Sequence, residues 1–436
     1  MNFEVSPPDQ VLWIWRTLEE AGFETWIVGG AIRDILLGRP ADDWDFATRA
    51  RPKQIMAAFA RTVPIGVDHG TVGVLAPDGT LYEVTTFRRD VETFGRRAVV
   101  EFAETIEEDL ARRDFTLNAL AWHPDRAGLL DPWSGVTDLD EQILRTVGDP
   151  TERFAEDLLR VLRGLRFAGQ FGLTIEGETW RALLSAVSHL SQLSPERIQE
   201  EMMKVLSQAR KPSVALGLYA ESGVFAVLYP ELDIGPPLAD FAQTLRACDA
   251  VPLTRPWVRL SLLVALASAT GDQEEIEGLM ERLRFSNADT KRVAAVAGNL
   301  SPAPLSEEPA VLRRWLNRVG AEHFVDIARA WLASARGHEN RDGEVPEGEG
   351  ASPSDVVRRI KALRTILHEG PPLTIADLAL DGSNLKELGL PPGPQFGEIL
   401  RYLLEQVLDR PELNNRADLE GLTARGGFLI DAPPDS

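Results

Sequence analysis

The spacing of apolar and polar residues divides the chain into two parts. Up to about residue 150, short apolar runs alternate with short helical patterns, and the runs 71–76 and 80–87 flank the turn sequence Pro77-Asp78-Gly79, which predicts a hairpin. Beyond about residue 151, apolar residues recur with a helical period, most clearly over 195–208, 257–268 and 307–319. We therefore expect an α+β region over 1–150, followed by an all-α region without strands.

A glycine pair followed by two aspartates is the most informative local pattern. An apolar strand over 26–28 runs into Gly29-Gly30 and a short helix, and a second strand begins near Asp43-Trp44-Asp45. Because residues two apart on a strand point to the same face, we expect Asp43 and Asp45 to share one space above the sheet. The glycines let backbone N–H groups approach an anion, and the helix start adds a favourable dipole. The pattern favours a phosphate cradle beside a paired-carboxylate Mg²⁺ site, as nucleotidyl transfer requires; the alternative is a turn before a half-exposed polar strand.

Segment 107–120 places charged residues inside an otherwise apolar run. These residues are Arg112, Arg113, Asp114 and Asn118. Buried arginines need carboxylate or phosphate partners, so the pattern favours an anion site. The alternative is the solvated end of a surface helix.

Segment 156–167 carries a second set of charges at regular spacing. Asp157, Arg160, Arg163 and Arg166 recur every third residue, which predicts one slowly drifting stripe on a helix. Cytosine and adenine both present an amine donor beside a ring-nitrogen acceptor, and a carboxylate and a guanidinium side by side match that edge. Uracil and guanine would leave buried polar groups unpaired, at a cost of about 1–3 kcal/mol each. We predict that Asp157 and Arg160 select the base while Arg163 and Arg166 hold phosphates; the alternative is an Asp–Arg ion pair on an amphipathic helix.

Together the three segments resemble the motifs of the class II tRNA nucleotidyltransferase and poly(A) polymerase family. A fourth match is Ser194-Pro195-Glu196-Arg197-Ile198, and the resemblance, dense over about 23–210, returns at 377–397. It implies an α+β fold in which a nucleotidyltransferase head with a mixed, roughly five-stranded sheet precedes an all-helical neck, body and tail. The expected boundaries are 1–150 for the head, 151–230 for the neck with its nucleotide-selecting helix, 231–338 for the body, 339–353 for a linker and 354–436 for a tRNA-binding tail.

The resemblance also implies roles for individual residues. Asp43 and Asp45 would hold Mg²⁺, and Gly30 and Arg33 would contact the triphosphate. Glu83, on a predicted strand, is a candidate third catalytic carboxylate, the alternative being a simple strand-edge acid. The candidate nucleotide-binding residues are Gly29, Gly30, Arg33, Arg112, Arg113, Asp114, Asn118, Asp157, Arg160, Arg163 and Arg166.

Within the family, segment 65–72 (Ile-Gly-Val-Asp-His-Gly-Thr-Val) is more similar to the CCA-adding branch than to the poly(A) branch. The implied reaction is template-independent addition of CMP and AMP, from CTP and ATP, to the 3′ end of tRNA by two-metal in-line transfer, with no protein partner required. Segment 88–100 is shorter than the flexible loop usual in CCA-adding members, and Arg97 is not followed by His-Pro, so a CC-adding or A-adding specialist stays open. A poly(A) polymerase, a transferase acting on a small molecule, and an inactive RNA-binding protein stay open as well.

Composition and charge restrict the class of protein but do not indicate a function. The chain has 436 residues, 44% hydrophobic and 26% charged, as is ordinary for a globular protein. A net charge of −21 averages over all faces, so it does not exclude a local basic site where the arginines cluster. The single cysteine, Cys248, excludes an internal disulfide. Because no signal-peptide pattern and no run of about 18 apolar residues occurs, we predict a cytoplasmic protein without a membrane span.

Overall fold

Residues 1–230 and 231–436 form separate units in the computed structural model. The structure describes residues 5–94, 97–126, 128–232, 234, 239–267, 272–300, 308–338, 351–426 and 428. Among these residues, no helix is long and apolar enough to cross a membrane. The predicted boundaries of head, neck, body and tail stay predictions.

A mixed sheet forms the centre of the first unit. Its strands and those of two smaller sheets are β1 Thr25–Val28, β2 Asp45–Thr48, β3 Thr62–Gly66, β4 Thr71–Leu75, β5 Leu81–Thr86, β6 Arg88–Phe94, β7 Arg97–Phe102, β8 Ala121–Trp122, β9 Leu129–Leu130, β10 Ile143–Leu144 and β11 Thr174–Ile175. The main sheet has seven strands in the order β3-β4-β5-β2-β1-β8-β9. Strands β2 and β5 run parallel and the other neighbours run antiparallel.

The predicted fold class is confirmed, with corrections in the short strands. The hairpin at Pro77-Asp78-Gly79 forms as predicted and joins β4 to β5. Five strands of four to six residues make up most of the sheet, and β8 and β9 add two residues each. The expectation that strands end before residue 151 is wrong, because β11 pairs with β10. A two-residue strand is too short to show alternation, so the sequence pattern could not reveal it.

The helices of the first unit are α1 Asp9–Glu20, α2 Gly30–Leu36, α3 Pro52–Ala58, α4 Ile106–Ala111, α5 Gly135–Asp140, α6 Pro150–Glu156, α7 Leu159–Phe171, α8 Gly177–Ala186, α9 Pro195–Gln208, α10 Pro212–Glu221 and α11 Val224–Leu228. Helices α1 to α4 pack against strands of the main sheet, and α8 to α11 pack on other helices. Helix α9 has the predicted bounds because Pro195 suits a first helical turn, where its missing N–H costs nothing.

The two faces of the main sheet differ in chemistry, and this difference positions the site. Phe46, Val72, Val74 and Val84 point to one face and are completely or almost completely buried. Asp45 and the side chains of neighbouring strands that alternate with this apolar set point to the other face. The register fixes which residues meet there: a shift by one would bury the carboxylates and expose the valines.

The second unit consists of helices around its own apolar core. They are α12 Ala239–Ala250, α13 Pro256–Val264, α14 Gln273–Arg282, α15 Asn287–Ala297, α16 Pro309–Val319, α17 Phe324–Gly337, α18 Pro353–Glu369, α19 Gly382–Glu387, α20 Gln395–Asp409 and α21 Arg416–Arg425. Cys248 lies fully buried in this core. Most of the predicted linker, residues 339–350, lies outside the described residues.

Candidate active site

The glycine pair forms a tight turn between β1 and α2. Gly29 has a φ of 77°, a value that favours glycine. A Cβ atom at Gly29 would lie 3.2 Å from Nη1 of Arg113 and 3.6 Å from Oδ2 of Asp45. The backbone angle therefore favours glycine here, and a Cβ atom would be tight against the Arg113 guanidinium and in ordinary contact with the Asp45 carboxylate.

Three carboxylates face the cleft beside this turn. Asp45 begins β2 opposite Val28, and Glu83 lies on β5 one residue before Val84, which pairs with Phe46. Burial, and then the charges of Asp43 and Glu83, raise the pKa of Asp45 to about 7, while Arg113 opposes this rise. A buried carboxylate whose pKa is raised by neighbouring carboxylates would be neutralised equally well by a divalent cation.

These carboxylates suit a cation whose coordination shell is completed by substrate phosphates. Among the described residues, no three His, Cys, Asp or Glu side chains are grouped closely enough to hold a metal ion alone. Mg²⁺ is usually bound by one or two carboxylates together with substrate phosphates, rather than by a cage of protein ligands. The Asp43 and Asp45 pair therefore suits a metal that arrives with a nucleotide.

A chain of hydrogen bonds joins α2 to α7 through the second predicted segment. Arg33 donates from Nη1 to Oδ1 of Asn118 over 2.7 Å, and Asn118 donates from Nδ2 to Oδ1 of Asp114 over 3.0 Å. Asp114 then accepts from Nε of Arg163 through Oδ2, again over 2.7 Å. Burial opposes the charged form of Asp114, yet Arg163 and these hydrogen bonds overcome it and hold its pKa at about 2. The surface-helix interpretation is wrong for this segment, since Asp114 and Asn118 are buried.

The paired arginines of the same segment share one buried carboxylate that sequence reasoning did not single out. Asp109 accepts from Nε of Arg112 over 3.3 Å and from Nη2 of Arg113 over 3.2 Å. Arg113 also donates to the carbonyl oxygen of Asn118 over 3.2 Å. Asp109 stands on α4, three and four residues before its partners, so an i, i+3 and i, i+4 search would have found it.

The third predicted segment is broken rather than continuous. Helix α6 ends at Glu156 and α7 begins at Leu159, so Asp157 lies between two helices and the predicted stripe starts only at Arg160. The reason is local: Oδ1 of Asp157 accepts the backbone N–H of Leu159 over 3.0 Å. Side chains that bond to nearby backbone N–H groups compete with a continuing helix.

Asp157 and Arg160 have different partners, so the plain ion pair between them is not formed. Oδ2 of Asp157 accepts from Nη2 of Arg197, in the fourth motif, over 2.8 Å. Arg160 bonds to Glu156 and to the carbonyl oxygens of Arg153 and Arg112. Helices α6, α7 and α9 thus hold both side chains at the cleft from different directions.

An aromatic ring on α7 lies among three of the candidate arginines. The guanidinium carbons of Arg166, Arg163 and Arg33 lie 4.3, 5.2 and 5.4 Å from the centre of the Phe167 ring. Arg166 also forms a buried pair with Glu201, donating from Nε to Oε2 over 2.8 Å. Neither Phe167 nor Glu201 was singled out from sequence, because the ring fits an ordinary core pattern and Glu201 is 35 residues away.

All fourteen predicted site residues line one cleft of about 750 Å³ within the first unit. That volume is in the usual range for a small-molecule site. The described lining residues include nine arginines and lysines against seven acids, in a chain whose net charge is −21. The lining residues to which sequence reasoning gave no role in the site include Asp34, Thr71, Thr85, Arg88, Asp109, Phe167, Gln170, Arg197, Lys204 and Gln208.

Family models match both the head and the region after it. Residues 25–145 match the poly A polymerase head domain, and residues 172–234 match the probable RNA and SrmB-binding site of polymerase A. Among solved structures, the Bacillus stearothermophilus CCA-adding enzyme in complex with CTP is 30% identical, with a TM-score of 0.76 over 97% of this chain and 99% of that one. The Thermotoga maritima CCA-adding enzyme complexed with tRNA is 21% identical with a TM-score of 0.58 over 97% of this chain and 96% of that one, a likeness of fold.

Curated relatives match over nearly their whole length. The CCA-adding enzyme of Geobacillus kaustophilus is 33% identical over 94% of this chain and 96% of its own. That of Limosilactobacillus fermentum is 33% identical over 96% of both chains. The predicted family is thereby confirmed: the chain belongs to the CCA-adding enzymes, a family of nucleotidyltransferases.

Proposed function

We propose that this protein adds CMP and AMP, taken from CTP and ATP, to the 3′ end of tRNA without a template. The observation that carries the proposal is a cleft in which carboxylates of the sheet face arginines of the second and third motifs. Its relatives bear the name of CCA-adding enzymes, and structures of such enzymes contain CTP, ATP or tRNA. Cytoplasm is the compartment that fits this substrate.

The sheet side of the cleft supplies the groups for transfer. Asp43 and Asp45 would hold Mg²⁺, which when bound lowers the pKa of an attacking hydroxyl and neutralises charge on the phosphates. Glu83 adds a third negative charge beside Asp45. No nucleophilic serine or cysteine is needed, since in-line transfer depends on positioning and electrostatics.

The helical side of the cleft would bind the nucleotide. Gly29, Gly30 and Arg33 lie where a triphosphate would meet backbone N–H groups and a guanidinium. Asp114 and Asn118 fix Arg33 in that place through the hydrogen bonds described above. A polyanion would also relieve the repulsion among the arginines around Phe167.

Asp157 and Arg160 retain capacity for a base edge. A carboxylate offers about four acceptor sites. Asp157 uses two of them on described residues, one for Leu159 and one for Arg197. Arg160 keeps N–H groups beyond its three bonds to described oxygens. Cytosine and adenine each present an amine donor beside a ring-nitrogen acceptor. The donor would bond to Asp157 and the acceptor to Arg160.

The test is extension of three purified tRNAs, one lacking CCA, one ending in CC and one complete, with Mg²⁺ and with CTP and ATP singly and together. We expect CCA on the shortest tRNA, A on the second and nothing on the third. Extension that stops at CC, or that occurs only as A onto CC, would assign a partial activity. Extension of unrelated RNAs by ATP alone would indicate a poly(A) polymerase, and no extension of any tRNA would overturn the proposal.

A further inference from the structure

The carboxylate face of the sheet continues beyond the cleft into an apolar surface. Gly73 on β4 pairs with Glu83 on one side and with Val63 of edge strand β3 on the other. Directly opposed residues share a face, so Asp45, Glu83, Gly73 and Val63 follow one another across the sheet. The row changes from acidic to apolar towards the edge.

Three exposed apolar side chains form this surface, which we call the edge platform. Val63, Ile65 and Leu81 are 43%, 45% and 46% exposed. A Cβ atom at Gly73 would lie 2.6 Å from Cδ1 of Ile65 and 3.0 Å from Cδ1 of Leu81, so both side chains lie over the glycine on the Glu83 face. Without a side chain at Gly73, they close over the backbone and make a continuous apolar surface beside Glu83.

The geometry of in-line transfer determines from which side the acceptor strand approaches the sheet. The pyrophosphate would leave towards Gly29, Gly30 and Arg33, which lie at the end of β1 on one side of β2. An in-line reaction places the attacking oxygen on the opposite side of the phosphorus. In the strand order that opposite side is β5, β4 and β3. The acceptor strand must therefore approach over Glu83 and the edge platform.

We infer that the edge platform binds the last nucleotides of the RNA acceptor through their bases and sugars. This inference rests on the proposed function and identifies the acceptor path of the same site. Adjacent strands are about 4.8 Å apart, so the platform starts about one strand from Glu83, within reach of the nucleotide next to the terminal one. The side chains of Val63, Ile65 and Leu81 have no group that binds a phosphate, so the apolar parts of the nucleotides face the sheet.

A hydroxyl pair lies on the same face of the sheet, two residues along the strands from Glu83 and Gly73. Thr71 on β4 and Thr85 on β5 bond to each other through their Oγ1 atoms over 3.1 Å, and both line the cleft. Such hydroxyls can donate to or accept from a ribose hydroxyl. The acceptor path thus offers polar contacts near the reacting end and apolar contacts behind it.

The first experiment compares acceptor and nucleotide binding in a double variant, Ile65→Thr with Leu81→Gln. Leu253→Gln is the control, because Leu253 is 40% exposed in the second unit and does not line the cleft. We expect KM for a tRNA lacking CCA to rise about tenfold in the double variant, since apolar contact area is lost. The Kd for CTP without RNA and the melting temperature should match those of the control.

A disulfide crosslink tests directly whether the RNA acceptor contacts the edge platform. Because the single cysteine, Cys248, is buried, Leu81→Cys adds an accessible thiol to the chain. A tRNA ending in CC, with a disulfide tether on its penultimate base, should crosslink to Leu81→Cys and not to Leu253→Cys, which places a thiol at an exposed position of the second unit.

Each contrary outcome has a defined meaning. If the wild-type protein extends no tRNA, the proposed function fails first. If it extends tRNA but the double variant keeps its acceptor KM, or loses CTP affinity equally, the edge platform is not an acceptor surface. Equal crosslinking of both cysteine variants leads to the same conclusion. A wild-type dimer that the double variant converts to a monomer would assign the platform to a second copy of the chain instead.

Discussion

Replacing Asp114 by asparagine tests the hydrogen-bonded chain between α2 and α7. The substitution keeps the shape of the side chain and the acceptor for the N–H groups of Phe115 and Asn118. It replaces Oδ2, which accepts from Arg163, by an amide that donates. Two donors then face each other, and the Arg163 guanidinium loses its buried counter-charge.

The expected loss of folding stability in Asp114→Asn follows from the pKa of Asp114. A folded-state value of about 2, against about 3.8 in the unfolded chain, corresponds to about 2 kcal/mol of stability. Because the folded pKa is depressed, this stability is complete above the unfolded value and is lost as pH falls through about 2. The unpaired charge adds to the loss, so we expect Asp114→Asn to cost about 2–4 kcal/mol at pH 7.

Hydrogen exchange measures this loss locally. Because the chain has two units, a single unfolding midpoint would mix their contributions. Amides of α7 and of segment 114–118 should lose protection in Asp114→Asn, and amides of the second unit should not. The matched control is Asp140→Asn, an exposed position in the same unit, which should change stability by less than about 0.5 kcal/mol.

Two results would refute this reasoning. The first is protection of α7 in Asp114→Asn equal to that of the wild type at pH 7. The second is a stability difference between the two proteins that stays constant from pH 5 to pH 2, because only a charged Asp114 can produce the difference.

Further substitutions address other parts of the site. Asp45→Asn should abolish transfer while CTP still binds in equilibrium dialysis. In the wild type, the Mg²⁺ concentration needed for half-maximal activity should rise as pH falls below about 7, since protons compete with the metal for Asp45. Asp157→Ala should relax discrimination against UTP and GTP more than it weakens tRNA binding, and unchanged ratios of kcat/KM would refute base selection. Gly29→Ala should cost about 1–2 kcal/mol in thermal unfolding because of its positive φ, and should raise KM for CTP. Glu201→Gln should cost about 3–5 kcal/mol, because Arg166 stays buried without a counter-charge, and an unchanged melting temperature would contradict this.

The sequence could predict those parts of the site that depend on local spacing. Asp43 and Asp45 line one cleft as their spacing predicted, although the expected strand start near Asp43 is wrong, because β2 begins at Asp45. The glycine turn follows from a backbone angle. The break at Asp157 could not be predicted, because a side chain bonding to Leu159 competes with helix periodicity, which the charge spacing alone cannot reveal.

Partners distant in sequence could not be predicted in the same way. Glu201 neutralises Arg166 from another helix, and Arg197 reaches Asp157 across 40 residues. Such pairs depend on how α7 and α9 pack, and one sequence without its fold carries no signal for that packing. Strands β8 and β9 could not be predicted for the same reason. Each has only two residues, and each forms by pairing, β8 with β1 and β9 with β8.

The arginines around Phe167 have a consequence for the release of product. Arg33 and Arg166 are close enough that, after burial, the charge of Arg166 contributes to lowering the pKa of Arg33. A nucleotide polyanion would relieve this repulsion, but the pyrophosphate left after transfer carries the same phosphates that relieved it. If the cleft binds the nucleotide as proposed, we expect it to retain pyrophosphate after transfer, so that escape of pyrophosphate rather than bond formation limits turnover. Added pyrophosphatase would then accelerate nucleotide addition, and accumulated pyrophosphate would drive removal of the terminal nucleotide.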